Sequence, residues 1–208
     1  WDQTQQAIKN SIGLGLAAAT ITMFAGVMIS YVIVKMRVRG KGILEFLGML
    51  PYSVPGSVIA LGVILAWSGR FGVNLYNTIW IILIAYIARY MAFSLKANSA
   101  ALEQVHDSLV EAARACGASM WQALRDVVLP LVRPGMVAAF FLIFLSALRE
   151  LTVSVMLYGT TSRTIGVAIY TFNDFCETVT SAALAGIALI LIVTGQSIIN
   201  HFAKSRQA

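Results

Sequence analysis

Charge is what this sequence has least of. Asp, Glu, Lys and Arg make up 12% of its 208 residues, against 59% for hydrophobic residues. A water-soluble domain carries about 25% charged residues, so the composition excludes an ordinary globule and fits an integral membrane protein. Acid is scarcer than base, and the net charge is +6. No stripe of Lys and Arg interleaves with aromatics, so the excess does not describe a nucleic-acid surface. It lies instead in loops beside apolar runs, as the positive-inside rule describes. There are only two cysteines, Cys116 and Cys176, and the span assignment below puts them on opposite sides of a membrane, which excludes a disulfide between them. His106 and His201 are isolated, and no cluster of residues has metal-ligand spacing, so no metal or cofactor is expected. A G-x-x-x-x-G-K-[ST] loop is absent, as is any Ser/His/Asp grouping, so the chain is not expected to be an enzyme or to bind ATP in the P-loop manner. The energy for any work it does must come from a partner. The chain does not start with Met, and residues 1–9 do not form a signal peptide, so we read it as a piece of a longer protein.

Long apolar runs are what the sequence has in quantity. Spans are expected over about 11–34, 43–67, 78–95, 134–158 and 180–202, which predicts an all-α, polytopic membrane domain over 1–208 with five transmembrane helices. The first run is rich in small residues (Gly13, Gly15, Ala17, Ala18, Ala19 and Gly26) suited to close helix packing, and Ala182-x-x-x-Gly186 suggests a similar face in the last. Pro51, Pro55 and Gly56 predict a kink or break within the second run. Placing the 35–41 loop, the 96–133 region and the C-terminus on one side collects ten Lys and Arg, leaving Lys9, Arg70 and Arg163 on the other. The ten should face the cytoplasm, with Trp1 and Arg163 outside and Lys41, Cys116 and Arg206 inside.

One polar stretch, from Ser108 to Pro130, interrupts this pattern. Ser108 with Glu111 reads as a capping box opening a helix over Leu109 to Cys116, and Gly117 as its left-handed exit. Ser119 with Gln122 reads as a second box, and Pro130 as the stop of the helix it opens. The sum is a helix, a glycine turn and another helix. Glu111, Ala112 and Ala113, then Gly117, Val127, Leu129 and Pro130, stand at the spacing of the EAA signature, which this stretch resembles, with Val127 where the signature has Ile. That signature marks permease subunits of bacterial ABC importers. The resemblance implies a cytoplasmic coupling region over 96–133 that docks on an ATPase subunit. The other implied partners are a second permease half (fused or separate), a second ATPase subunit, a periplasmic substrate-binding protein and the lipid of the inner membrane.

Arg89, Arg149 and Glu150 fall inside apolar runs, where a charge is costly unless paired or hydrated. With Pro51 and Pro55 they are the candidates for the translocation path, and interhelical ion pairing is the alternative role. Neighbours on a helix do not face each other, so Arg149 and Glu150 should have separate surroundings. The stretches Pro51-Tyr52-Ser53-Val54-Pro55-Gly56 and Leu148-Arg149-Glu150-Leu151-Thr152 resemble permeases of ferric-iron importers. Permeases for thiamine, aminoethylphosphonate and polyamines share similar stretches. The readings from other classes are an ion-gradient-driven secondary transporter, with Arg149 and Glu150 as the coupling pair, and a structural membrane subunit.

Overall fold

A computed structural model describes residues 2–69 and 72–204. Trp1, Arg70 and Arg206, named in the expected topology, lie outside the described residues. Helices account for almost all of the rest: α1 (Asp2–Lys35), α2 (Lys41–Ser53), α3 (Gly56–Trp67), α4 (Ile79–Glu103), α5 (Asp107–Ala115), α6 (Met120–Ala123), a π-helical turn (Leu124–Val128), α7 (Leu129–Leu148), α8 (Ser154–Leu157), α9 (Ile165–Asp174) and α10 (Thr178–Lys204). No strand forms among the described residues, only an isolated bridge between Ser68 and Asn74.

Long-range hydrogen bonds define two ends of the bundle. At one end, Lys35 Nζ of α1 donates to the Val105 carbonyl and to Asp107 Oδ1, the latter at 2.6 Å. At the other, Asn10 Nδ2 donates to the carbonyls of Thr161 and Arg163, both at 2.9 Å. The Ile165 amide donates to Ser11 Oγ at 2.7 Å, and Gly159 packs on the Asn77 carbonyl. Helices α1 and α4 therefore run parallel, and residues 36–78 must cross back between them. They do so as the broken pair α2 and α3, whose axes turn by 112° at Val54–Pro55. Proline at 55 lacks the amide that would continue α2, and the residue before a proline is driven to extended backbone; Val54 has ψ 136°. With α1, α4, α10 and the continuous Met120–Leu148 helix, the described residues hold four helices long and apolar enough to cross a membrane, and five spans, the number expected, when the broken pair is counted as one.

Small residues let α1 and α4 approach closely. Gly26 lies against Ser94, whose hydroxyl donates to the Thr22 carbonyl at 2.8 Å, and Ser30 Oγ donates to the Leu95 carbonyl at 3.2 Å. One core (Leu14, Ala18, Ile82, Tyr86, Ile143, Leu157) fills the bundle away from the Lys35 end, and another (Val27, Tyr31, Leu102, Leu124, Val128, Val132) fills the part near it.

Several boundaries differ from the sequence reading. The third span does not end at Leu95, because α4 continues to Glu103 with Asn98 and Leu102 buried against its neighbours. The fourth does not reach Tyr158: α7 stops at Leu148, and Arg149 and Glu150 lie just past its end. The expected stop at Pro130 does not occur, since Met120–Leu148 is one continuous helix. There the ladder widens into a π turn in which the Leu129 amide bonds Leu124, five residues back. The wider turn makes room for a ring that would otherwise strike the carbonyl four residues before it. The 159–179 loop contains α9, and the Ala182 and Gly186 face of α10 is exposed with nothing packed on Gly186.

Candidate functional site

The polar stretch forms a knob at the Lys35 end. Its first cap is not the predicted one. His106, not Ser108, occupies the N-cap of α5, and its Nδ1 accepts from the Ser108 amide at 3.3 Å. Ser108 lies inside the first turn, where its hydroxyl is 2.8 Å from His106 Nδ1, and Glu111 is exposed and takes no part in a box. At the other end of α5 the Ala118 amide bonds the Ala113 carbonyl at 3.1 Å and the Gly117 amide bonds the Arg114 carbonyl at 3.0 Å. That double closure is a Schellman turn, and Gly117 supplies its left-handed residue with φ 89°. The second box is present as expected: the Gln122 amide donates to Ser119 Oγ at 3.2 Å, and the Ser119 amide to Gln122 Oε1 at 2.7 Å.

The signature residues divide between surface and support. Glu111, Ala112, Gly117 and Pro130 are exposed, and Ala113, Val127 and Leu129 are half-buried. Ala113, Gly117 and Val127 meet around one open hollow of about 380 Å³. Leu129 packs on the core under the knob, which anchors α6 and the π turn. Trp121, 60% exposed, and Met120, 41% exposed, leave an apolar surface beside the hollow. Lys35 hydrogen-bonds Asp107 and adds its positive charge, which holds that carboxyl below the usual carboxylate range.

The candidate path residues lie elsewhere, near mid-depth. Arg89 is about 15 Å from the Ile79 end of α4 and about 21 Å from the Glu103 end, at 1.5 Å per residue. Arg89 Nε is 3.2 Å from Glu150 Oε2. Glu150 Oε2 also accepts from Tyr90 OH at 2.7 Å, and Oε1 accepts from the Val153 amide at 3.1 Å. The carboxylate thus has a counter-charge and two donors, the conditions under which a buried charge is tolerated. Ser154 Oγ donates to the Glu150 carbonyl at 3.2 Å and lies 2.6 Å from Tyr86 OH.

The pair sits at the break between α2 and α3. Gly56, the first residue of α3, is buried against the Arg89 guanidinium and Thr152, so that a methyl there would lie 2.8 Å from Arg89 Nη1. Tyr52, in the last turn of α2, meets Phe93 edge to face at 5.1 Å. Pro55, the neighbour of Gly56, is thereby brought near Arg89, while Pro51 lies inside α2 one turn before the break. Arg149 is not part of this group. It is exposed and lines a cleft of about 500 Å³ with Tyr170 and Asn173 of α9. Arg149 and Glu150 have separate surroundings, although both lie past the end of α7 and not on a helix as expected. Sequence reading missed Tyr90, Tyr86 and Ser154 and assigned Gly56 only to the break; the available signal was the i, i+3, i+4 spacing of Tyr86, Arg89 and Tyr90 on one face of an apolar helix. No group of three or more potential metal ligands occurs among the described residues.

Comparison with known proteins now has a geometry to refer to. The family of binding-protein-dependent transport system inner membrane components matches residues 18–207. PhnV of Salmonella paratyphi A, provisionally named a 2-aminoethylphosphonate transport system permease, is 31% identical over 92% of this chain and 70% of its own length. The ferric transport system permease FbpB of Actinobacillus pleuropneumoniae is 32% identical over 94% of this chain, and the chain spans 28% of that protein. Among solved structures, a chain of the MetNI methionine ABC transporter in an inward-facing conformation superposes with a TM-score of 0.78 at 15% identity, covering 96% of this chain and 94% of that one. A chain of an alginate ABC transporter gives 0.72 at 19% identity, covering 97% and 80%. These structures share the fold.

Proposed function

This chain belongs to the binding-protein-dependent transport system inner membrane components, the ABC importer permeases, and from that membership we propose that it forms half of a translocation path for a substrate delivered by a periplasmic binding protein. The observation that carries the reading is the capped knob, an exposed helix, Schellman turn and helix seated on a packed core. It is the docking element for an ATPase subunit, with Glu111, Ala112, Ala113 and Gly117 at or near the contact. A second permease half and a second ATPase subunit complete the assembly. The Lys35 end faces the cytoplasm, in keeping with the ten-to-three distribution of basic residues, and the Asn10 end faces the periplasm.

Ferric iron is the substrate we propose. It is supported by relatives named as ferric permeases, one of them 35% identical over 81% of this chain. The second reading is 2-aminoethylphosphonate, favoured by PhnV, of which the chain covers the larger share. The test is uptake into vesicles holding the assembled transporter, its ATPase and its binding protein. We expect ATP-dependent accumulation of labelled ferric iron, abolished by Gly117→Val. Saturable uptake of 2-aminoethylphosphonate without iron uptake would overturn the substrate and keep the permease. Uptake that ignores ATP and collapses with an uncoupler would overturn the permease reading in favour of a secondary transporter.

A further inference from the structure

The knob is covalently continuous with α7, yet α7 is poorly built to carry its motion across the membrane. It starts from a π turn, contains Pro130 and Pro134, and stops at Leu148, level with Arg89 near mid-depth. Helix α1 has none of these interruptions. It runs unbroken over 34 residues, about 51 Å, and contains no proline. Both of its ends are tied to distant parts of the chain. At the knob end, Lys35 holds the Val105 carbonyl and Asp107, bracketing the start of α5, and Tyr31 OH lies 3.5 Å from Met120 Sδ at the start of α6. At the far end, Asn10 holds the Thr161 and Arg163 carbonyls, Ser11 caps the Ile165 amide at the start of α9, and Gln3 accepts from Arg163 Nη1 at 3.0 Å. Between the ends, the Thr22–Ser94 and Ser30–Leu95 bonds lock α1 to α4.

These contacts have a mechanical consequence. A helix resists bending except at prolines, π turns and similar defects. Helix α4, also free of proline, joins the knob through 104–106, but α1 is the one that meets α9, so a displacement of the knob reaches α9 most directly through α1. Nearly buried polar clamps fix both ends: the Lys35 side chain is 10% exposed and Asn10 is 6% exposed.

We infer that α1 is the strut that couples the knob to the α9 surface at the opposite end of the bundle, with Lys35 and Asn10 as positioning residues that clamp its two ends. This rests on the proposed function in taking the knob as the ATPase contact. Coupling between sites is reciprocal and corresponds to changes of roughly 5–150-fold. The strut predicts that weakening either clamp uncouples the two ends without removing the ATPase.

The experiment uses the whole transporter in lipid discs, with its ATPase and substrate-loaded binding protein. Three quantities are read together: the ATPase retained, hydrolysis with and without the loaded binding protein, and uptake. Asn10→Leu and Lys35→Met should each retain the ATPase but lose about fivefold or more of the stimulation by the binding protein. Lys35→Arg should restore it, and the double variant should lose little more than either single one. Should Asn10→Leu fail to accumulate, a cross-link replaces it: Asn10→Cys with Thr161→Cys, in a background of Cys116→Ser and Cys176→Ser, joined by a short thiosulfonate. Because the strut moves with the 159–165 loop, the cross-linked transporter should keep its uptake. Normal stimulation and uptake in Asn10→Leu and Lys35→Met, or uptake lost on cross-linking and regained on reduction, would overturn the strut. Gly117→Val separates the two ideas. If it too leaves retention and uptake intact, the knob assignment itself is wrong; if it alone uncouples, only the strut falls.

Discussion

The knob and the mid-membrane ion pair are built by opposite means. The bonds that cap and turn the knob join residues at most five apart, His106 to Ser108, Ala118 to Ala113 and Ser119 to Gln122, and its long-range ties, Lys35 to Asp107 and Tyr31 to Met120, only fix it to α1. The pair joins Arg89 to Glu150, 61 positions later, and borrows Gly56 from a third part of the chain. The knob faces water, where one lost bond is partly replaced by solvent. The pair is largely withdrawn from solvent, so little such replacement exists. Local capping therefore shapes a surface that can tolerate change, and long-range pairing holds a centre that cannot.

The sharpest way to break this contrast is to remove one charge of the pair. Leaving one partner of a buried pair uncompensated costs about 3–5 kcal/mol, whereas replacing both is often nearly neutral. Arg89→Met should therefore lower the thermal stability of the purified permease strongly, and Arg89→Met with Glu150→Gln should recover most of it. Unfolding followed by size-exclusion fluorescence measures both. A double variant as unstable as the single one would mean that the pair is not what holds this centre.

Gly56→Ala perturbs the same centre more gently. The added methyl meets Arg89 Nη1 at 2.8 Å and Thr152 Cβ at 3.3 Å. The guanidinium is the mobile end of its side chain, but Glu150 restrains it. We expect a loss of about 1–3 kcal/mol, the usual cost of overpacking. Combining Gly56→Ala with Arg89→Met should be less than additive, because the clash is with the side chain removed.

The same contrast governs what could be read in the sequence. The five crossings, the break at Pro55, the Gly117 turn and the Ser119 box follow from periodicity and short-range rules. Arg89 and Glu150 could be singled out, but not joined, because no local pattern says which helices become neighbours. Errors arose where a local rule had a rival. Ser108 is a good cap with an acid three residues on, yet His106 starts the helix two residues earlier, after Gln104 and Val105 have left α4. Pro130 is a good stop, yet a π turn absorbs it because Leu124, Val128 and Val132 share one core and keep the helix running. The expected span runs past the end of α7 because 151–158 is again uncharged and mostly apolar, while the backbone leaves the helix at Arg149 and Glu150.

At the knob, the expected stability effects are smaller and the functional ones larger. Gly117→Val puts a β-branched residue at φ 89°, costing roughly 1–2 kcal/mol. The permease should accumulate normally and lose ATPase retention on washed membranes. Ser119→Ala removes a real cap and should cost about 1 kcal/mol, while Ser108→Ala, which is no cap, should cost less. Parallel melting of the two variants decides whether the box at Ser119 and the turn at Ser108 differ as described.

The smallest effect concerns pH. Asp107 has its carboxyl pKa lowered, first by the hydrogen bond from Lys35 and then by the Lys35 charge. A carboxyl whose folded pKa lies below its unfolded value stabilises the fold fully above the unfolded pKa. It loses that contribution as pH falls through the folded one. The window thus opens at about pH 4, the ordinary Asp value, and closes below it. The carboxylate is exposed, so solvent and salt screen much of the interaction. Asp107→Asn should melt slightly below wild type at pH 7, and the two curves should converge as the pH is taken below about 4. Raising the salt concentration at pH 7 should narrow the gap in the same way. The Arg89–Glu150 pair, with Glu150 9% and Arg89 25% exposed, should show a smaller salt response. If salt weakens the pair at mid-depth as much as the one at the surface, water reaches that centre, and the division between a tolerant surface and a dry core must be redrawn.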